Sequence, residues 1–167
     1  TEELERSGLR MLPASCFMDE HIPGAGILTR RGPDGREARD IGFGHRIARE
    51  TGHLDIGQTV LVKDGMVLAV EAFEGTDKAI LRGGRLGGRG AVVVKAAKQG
   101  HDMRFDIPVI GSKTVRVMRR AGVSALSFQA GRVVMLDREA VIAAADRAGI
   151  AITGIDSGLP AAPLRPT

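Results

Sequence analysis

The sequence predicts an α/β fold, a three-layer α-β-α sandwich with a mixed central sheet. Three observations carry this prediction. Short apolar runs alternate with helix-period segments along most of the chain. The first two of those runs are joined by Lys63-Asp64-Gly65, whose Asp-Gly supplies the positive φ angles of a tight hairpin, so at least one neighbouring pair is antiparallel. Ala91-Val92-Val93-Val94 is apolar without alternation, as expected of a strand covered on both faces.

Taken in order, residues 1–33 lack sustained periodicity and contain Pro23-Gly24 and Gly32-Pro33, so they read as a connecting arm. Its apolar pieces Met11-Leu12 and Ile27-Leu28 are short enough to add an edge strand or to pack on the main body. The first ten residues look like the last turns of a helix that begins upstream, so the chain is expected to be part of something larger. From Asp34, Ile41, His45 and Ala48 recur at helical spacing, with Phe43 and Ile47 beside them and Gly52 as the stop. The hairpin 58–72 follows, and Glu74-Gly75-Thr76-Asp77 turns into a short helix ending near Arg82. The run GGRLGGRG at 83–90 reads as a loop because of its glycines.

After the strand at 91–94, Ser112 is placed to cap a helix closing at Gly122. Ala125–Phe128 and Val133–Leu136 are two further strands, Asp137 caps a helix with Val141, Ala144, Ala145 and Ala148 on one face, and Ile150–Ile155 is the last strand. The tail 157–167 is Pro-rich and expected to be disordered. Residues 34–156 thus form the α/β domain.

Composition narrows the function. With 167 residues the chain buries roughly two thirds of its unfolded surface and needs no metal or disulfide to fold. The single Cys16 excludes an internal disulfide and a thiolate zinc site, and it suits a reducing cytoplasm. A net charge of +4 is spread among acidic residues, with five Phe and no Trp or Tyr to stack on bases. Nucleic acid is therefore not expected as a partner, and anionic small molecules are.

Carboxylates and cations gather after strands, where α/β sheets form their ligand crevices. Glu71, Glu74 and Asp77 follow the second hairpin strand, and Asp102 and Asp106 are interleaved with Lys95, Lys98, His101 and Arg104. Such a mixture suits a phosphate ester, carboxylates holding Mg²⁺ and cations neutralising phosphoryl oxygens. Solvated loop charges are the simpler alternative for each residue, although Asp106 stands between Phe105 and Ile107-Pro108 in an apolar context. Thr76 or Asp77 as a plain helix cap is the alternative for the 74–77 turn, where Gly75 before a helix N-terminus also suits a phosphate. Gly111-Ser112-Lys113-Thr114 lacks the order of a P-loop, and GGRLGGRG has no dinucleotide fingerprint. His45 and His53 read as core or surface histidines, and Cys16 has no neighbouring base.

Three stretches, 54–77, 92–115 and 130–150, with the motifs DIGQ, VEAFEGTD and RFDIPVIG, resemble the C-terminal domain of the UDP-2,3-diacylglucosamine pyrophosphatases of lipid A synthesis in Gram-negative bacteria. The resemblance runs from about Leu28 to Ile155. It implies Mg²⁺-assisted hydrolysis of UDP-2,3-diacylglucosamine to UMP and 2,3-diacylglucosamine 1-phosphate (lipid X), water attacking the phosphorus next to the sugar. By that resemblance Asp106 is the carboxylate required for hydrolysis, with Arg104 beside it; the remaining roles follow from side-chain chemistry, Lys95 being a further catalytic cation. Glu74, Gly75, Thr76 and Lys98 would bind substrate, and Asp106, Asp77 and Asp102 would hold Mg²⁺. The sequence departs from the family where Gln99 follows Lys98 and where His101 replaces a glutamine. The resemblance also implies a cytoplasmic location peripheral to the inner membrane, a homodimer, and an N-terminal nucleotide-binding-like domain that this chain lacks. The alternative is a non-enzymatic ligand-binding or dimerisation module with the same fold.

Overall fold

The computed structural model describes residues 6–8, 16–97 and 107–156. Met11-Leu12 and the tail 157–167 lie outside the described residues. A single 3₁₀ turn at Asp19–His21 precedes the regular elements, which are β1 (Gly26–Ile27), α1 (Gly35–His53), β2 (Thr59–Lys63), β3 (Met66–Val70), α2 (Thr76–Gly87), β4 (Val92–Lys95), β5 (Val109–Ile110), α3 (Ser112–Ala121), β6 (Ala125–Gln129), β7 (Val134–Met135), α4 (Arg138–Ala148) and β8 (Ala151–Ile155). Six strands form a mixed sheet in the order β1-β8-β6-β4-β2-β3. β4, β6 and β8 are parallel, whereas β1, β2 and β3 join antiparallel, so the predicted mixed sheet is the observed one.

Strand alternation divides the core into two layers. Val60, Val62 and Val94 pack against Ala48, Phe43 and Ile47 of α1, and Val92, Ala125 and Ala151 pack against its Ile41. On the other face Leu61, Val93, Leu126, Phe128 and Ile152 meet Ile80 of α2, Val115 and Met118 of α3, and Val141 and Ala145 of α4. Among the described residues one helix lies on one side of the sheet and three on the other, which makes the sandwich.

Local chemistry explains most element ends. Asp34 and Glu37 form a reciprocal capping box, Asp34 Oδ1 accepting from the Glu37 amide at 2.7 Å and Glu37 Oε2 from the Asp34 amide at 2.8 Å. α1 passes Gly52 by one residue and ends at His53. At the hairpin Asp64 and Gly65 both take positive φ, and the buried carboxylate of Asp40 accepts from both of their amides at 2.9 and 2.8 Å. Ile27 adds the edge strand its short apolar piece allows, pairing with Thr153.

Four local expectations are corrected. GGRLGGRG is not a loop in its first half, because α2 continues through it to Gly87. Its glycines mark close packing: a Cβ on Gly83 would lie 2.6 Å from Leu61 Cδ2, one on Gly84 2.4 Å from the Ala121 carbonyl oxygen, and one on Gly87 2.3 Å from Leu68 Cδ1. Ser112 is the first helical residue of α3 and Gly111 holds the cap position. Asp137 holds the cap position of α4 in a left-handed conformation, without a capping hydrogen bond from its side chain. Neither Thr76 nor Asp77 caps α2, since Gly75 does so with φ 82°. The strand predicted at 133–136 also stands apart from the main sheet, β7 pairing with β5 in a small parallel sheet.

His45 is a core histidine, its Nε2 2.8 Å from Ser127 Oγ across the α1 layer. Burial, with Arg49 adding to it, pushes its imidazole down from 6.5 to about 4, so it is neutral in the fold. Arg31 ties the arm to α1, its guanidinium donating to both Glu37 oxygens at 2.8 and 3.0 Å and to the Ser124 carbonyl. Burial alone would push the Glu37 carboxyl up; the hydrogen bonds from Arg31 and the Asp34 amide outweigh it and hold the carboxyl down at about 2.

Two outcomes follow for stability. Gly84→Ala is expected to destabilise by about 1–3 kcal/mol because its methyl has no room, whereas Gly42→Ala, on an open face of α1, is expected to stabilise by up to ~1 kcal/mol; urea denaturation measures both. Acidification destabilises in two stages. The unfolded chain protonates His45 first, so stability falls between pH 6.5 and about 4. The Glu37 contribution, on the order of 3 kcal/mol, is present above pH 4.5 and is lost as pH falls towards 2. His45→Gln should flatten the upper stage and Glu37→Gln the lower in melting temperature against pH.

Candidate functional site

The register of β4 against β2 brings the site together. Lys95 closes β4 opposite Thr59, the first residue of β2. Alternation sends Val94 to the α1 layer, and hence Lys95 to the layer that holds α2. There Lys95 is only 6 % exposed, so its ammonium needs hydrogen bonds. Its Nζ donates to Thr76 Oγ1 at 2.9 Å, and Thr76 Oγ1 donates to Glu71 Oε1 at 2.9 Å. A hydroxyl has one proton, so Thr59 Oγ1, 3.4 Å from Thr76 Oγ1, serves as donor to it.

Gly75 is what lets Thr76 reach this position. Its positive φ turns the chain from the end of β3 into α2, a conformation that side chains other than glycine rarely adopt. Glu71 is fixed from the other side: its amide donates to the Thr59 carbonyl at 2.8 Å, and Gly57 lies so near that a Cβ there would sit 1.9 Å from the Glu71 carbonyl oxygen. Glu71 Oε2 is buried and has no hydrogen-bond partner among the described residues. These groups border a cleft of about 430 Å³ whose walls include Gln58, Glu71, Thr76, Lys95, Ile107 and Pro108.

Of the residues predicted for the site, Lys95 and Thr76 meet here and Gly75 adjoins them. Glu74 and Asp77 are held elsewhere. Glu74 accepts from Arg82 and from the Ala72 amide, and the Arg82 hydrogen bond is the main reason its carboxyl lies below the ordinary range. Asp77 pairs with Lys113 of α3 at 2.7 Å. Lys98, Asp102, Arg104 and Asp106 lie outside the described residues, although Ile107 and Pro108, which follow Asp106 in sequence, line the cleft. Glu71 was visible in the sequence only as one of three carboxylates after β3, and Thr59 carried no signal there.

Among the described residues no three His, Cys, Asp or Glu side chains converge into a metal-holding group. Glu71 Oε2 nonetheless has the character Mg²⁺ takes, a hard anionic oxygen left without a donor, and Mg²⁺ needs only one or two carboxylates when waters and phosphates complete its shell. Among the described residues no helix is long and apolar enough to cross a membrane.

The model for the LpxI C-terminal domain family matches residues 24–153. The chain belongs to that family. It is also similar to the UDP-2,3-diacylglucosamine pyrophosphatase LpxI of Caulobacter vibrioides, with 40% identity over 163 residues, covering 93% of this chain and 58% of that protein. The chain thus spans less than two thirds of the relative's length. The family match encloses every wall residue of the cleft.

Thr76→Val keeps the side-chain volume but removes the hydroxyl through which Lys95 and Glu71 meet. It is expected to cost about 1–3 kcal/mol, because both charged groups lose a partner. Urea denaturation beside the parent protein measures it; an unchanged midpoint would mean that the two groups find other partners at no cost.

Proposed function

We propose that this chain is the C-terminal part of an enzyme that hydrolyses the pyrophosphate of UDP-2,3-diacylglucosamine, giving UMP and 2,3-diacylglucosamine 1-phosphate. The observation that carries the proposal is the family match, joined to the name of the Caulobacter vibrioides relative. The cleft supports it with a buried cation, a hydroxyl and a carboxylate in one hydrogen-bonded row.

The reaction asks for three things of the protein. A water must be aligned with the phosphorus next to the sugar, and Asp106 is assigned to that task. As the new P–O bond forms, the bridging P–O bond breaks and its oxygen leaves on UMP. Charge accumulating on the phosphoryl oxygens must be neutralised, which Lys95, Lys98 and Arg104 do by charge-assisted hydrogen bonds. The substrate must also be held, and the backbone around Gly75 is its phosphate contact, while Thr76, whose one proton goes to Glu71, serves substrate binding by holding Lys95 and Glu71 in place. Asp106 and Asp102 are among the residues that would hold Mg²⁺, which would draw electron density from the phosphoryl oxygens. Asp77 pairs with Lys113 instead. Glu74 acts indirectly, holding the 71–75 turn through Arg82.

The acyl chains of such a substrate bring the enzyme to the cytoplasmic surface of the inner membrane, and a homodimer remains part of the proposal. With the crevice shared between two domains, the 167-residue chain alone is expected to be weakly active or inactive. Incubating the intact protein with substrate and Mg²⁺ should release UMP, and Asp106→Ala should lower kcat by about 10²–10³ with an unchanged thermal melt. Undiminished turnover in that variant would remove Asp106 from the mechanism. No UMP release by the parent protein would favour a binding or dimerisation module instead.

A further inference from the structure

The three carboxylates that follow β3 differ in a way that bears on metal binding. Glu74 is neutralised by Arg82 and Asp77 by Lys113. Glu71 makes no ion pair among the described residues. Its single side-chain partner there is a neutral hydroxyl on Oε1, and none of the described residues donates to the buried Oε2. Buried polar atoms in native proteins are satisfied with few exceptions, and an exception in the wall of a cleft points to something that binds there.

The proton inventory says which kind of group. Lys95 spends a proton on Thr76, and Thr76 spends its only proton on Glu71 Oε1. The row therefore holds the carboxylate through one oxygen, and no hydrogen of the described residues is directed at the other. The main chain beneath is equally constrained, by the Thr59 carbonyl and by the contact with Gly57. A preorganised carboxylate oxygen with free lone pairs is a ligand for a hard cation.

We propose that Glu71 Oε2 is a ligand of Mg²⁺ in this cleft, with Thr76 and Lys95 as positioning residues that hold the carboxylate in place. The biological purpose of such a site rests on the pyrophosphatase reading, but its test does not.

Mn²⁺ serves as the probe, titrated into the intact protein without substrate while the free ion is followed by electron paramagnetic resonance, with Mg²⁺ as competitor. Glu71→Gln is expected to weaken Mn²⁺ binding by about tenfold or more, and Thr76→Val, which touches only the orientation, by a smaller factor. In the unaltered protein, Mn²⁺ should broaden the amide resonances of Glu71, Ala72 and Thr76, which tests the site even if the Gln variant does not fold. Binding as tight in Glu71→Gln as in the parent, no Mn²⁺ binding by the parent, or broadening that spares these amides would each overturn the proposal. UMP release is scored separately: a protein that binds Mn²⁺ through Glu71 yet releases no UMP keeps this site and loses the pyrophosphatase reading, and the reverse result does the opposite.

Discussion

The register between β2 and β4 is the constraint on which the rest of the molecule depends. With Thr59 opposite Lys95, every second side chain of β4 faces α1 and the others face α2, α3 and α4. A slip of one residue would exchange the two layers and drive Lys95 into the apolar packing of Val60, Val62 and Ala48. Val60, Leu61, Val62, Val92, Val93 and Val94 are all buried, so each layer depends on that choice. The position of the one charged residue in β4 is thus a by-product of core packing, and the site costs no separate ordering of that strand.

The fold was more legible in the sequence than the site was. Asp-Gly between two β-branched runs is a local code whose physics is complete within a few residues, and Ile41, His45 and Ala48 recur at helical spacing, so the hairpin and the first helix could be read directly. The second half of α2 could not. Glycine there is required by neighbours distant in sequence, Leu61, Leu68 and Ala121, and nothing in GGRLGGRG says that helix packing rather than loop freedom selects it. The pairing of β5 with β7 was hidden for the same reason.

The site divides along that line too. Lys95 and Thr76 could be named from their motifs, but their contact with Glu71 depends on three elements meeting, and so does the removal of Asp77 to Lys113. Sequence grouped Glu71, Glu74 and Asp77 as equivalents because they share a charge and a neighbourhood. The fold separates them by the cations it brings near: Arg82 lies on the helix that Glu74 precedes, Lys113 comes from α3, and none of the described cations pairs with Glu71.

The small parallel sheet of β5 and β7 gives the cleft an unequal anchorage. Its hydroxyl and carboxylate side is carried by β3 and α2, whereas the wall formed by Ile107 and Pro108 is joined to β7: Val134 donates its amide to the Pro108 carbonyl and Leu136 to that of Ile110, both at 2.9 Å. β7 leads directly into α4, whose Val141 and Ala145 belong to the large core cluster. The two sides of the cleft are therefore carried by different parts of one core, β3 and α2 on one side and β7 leading into α4 on the other.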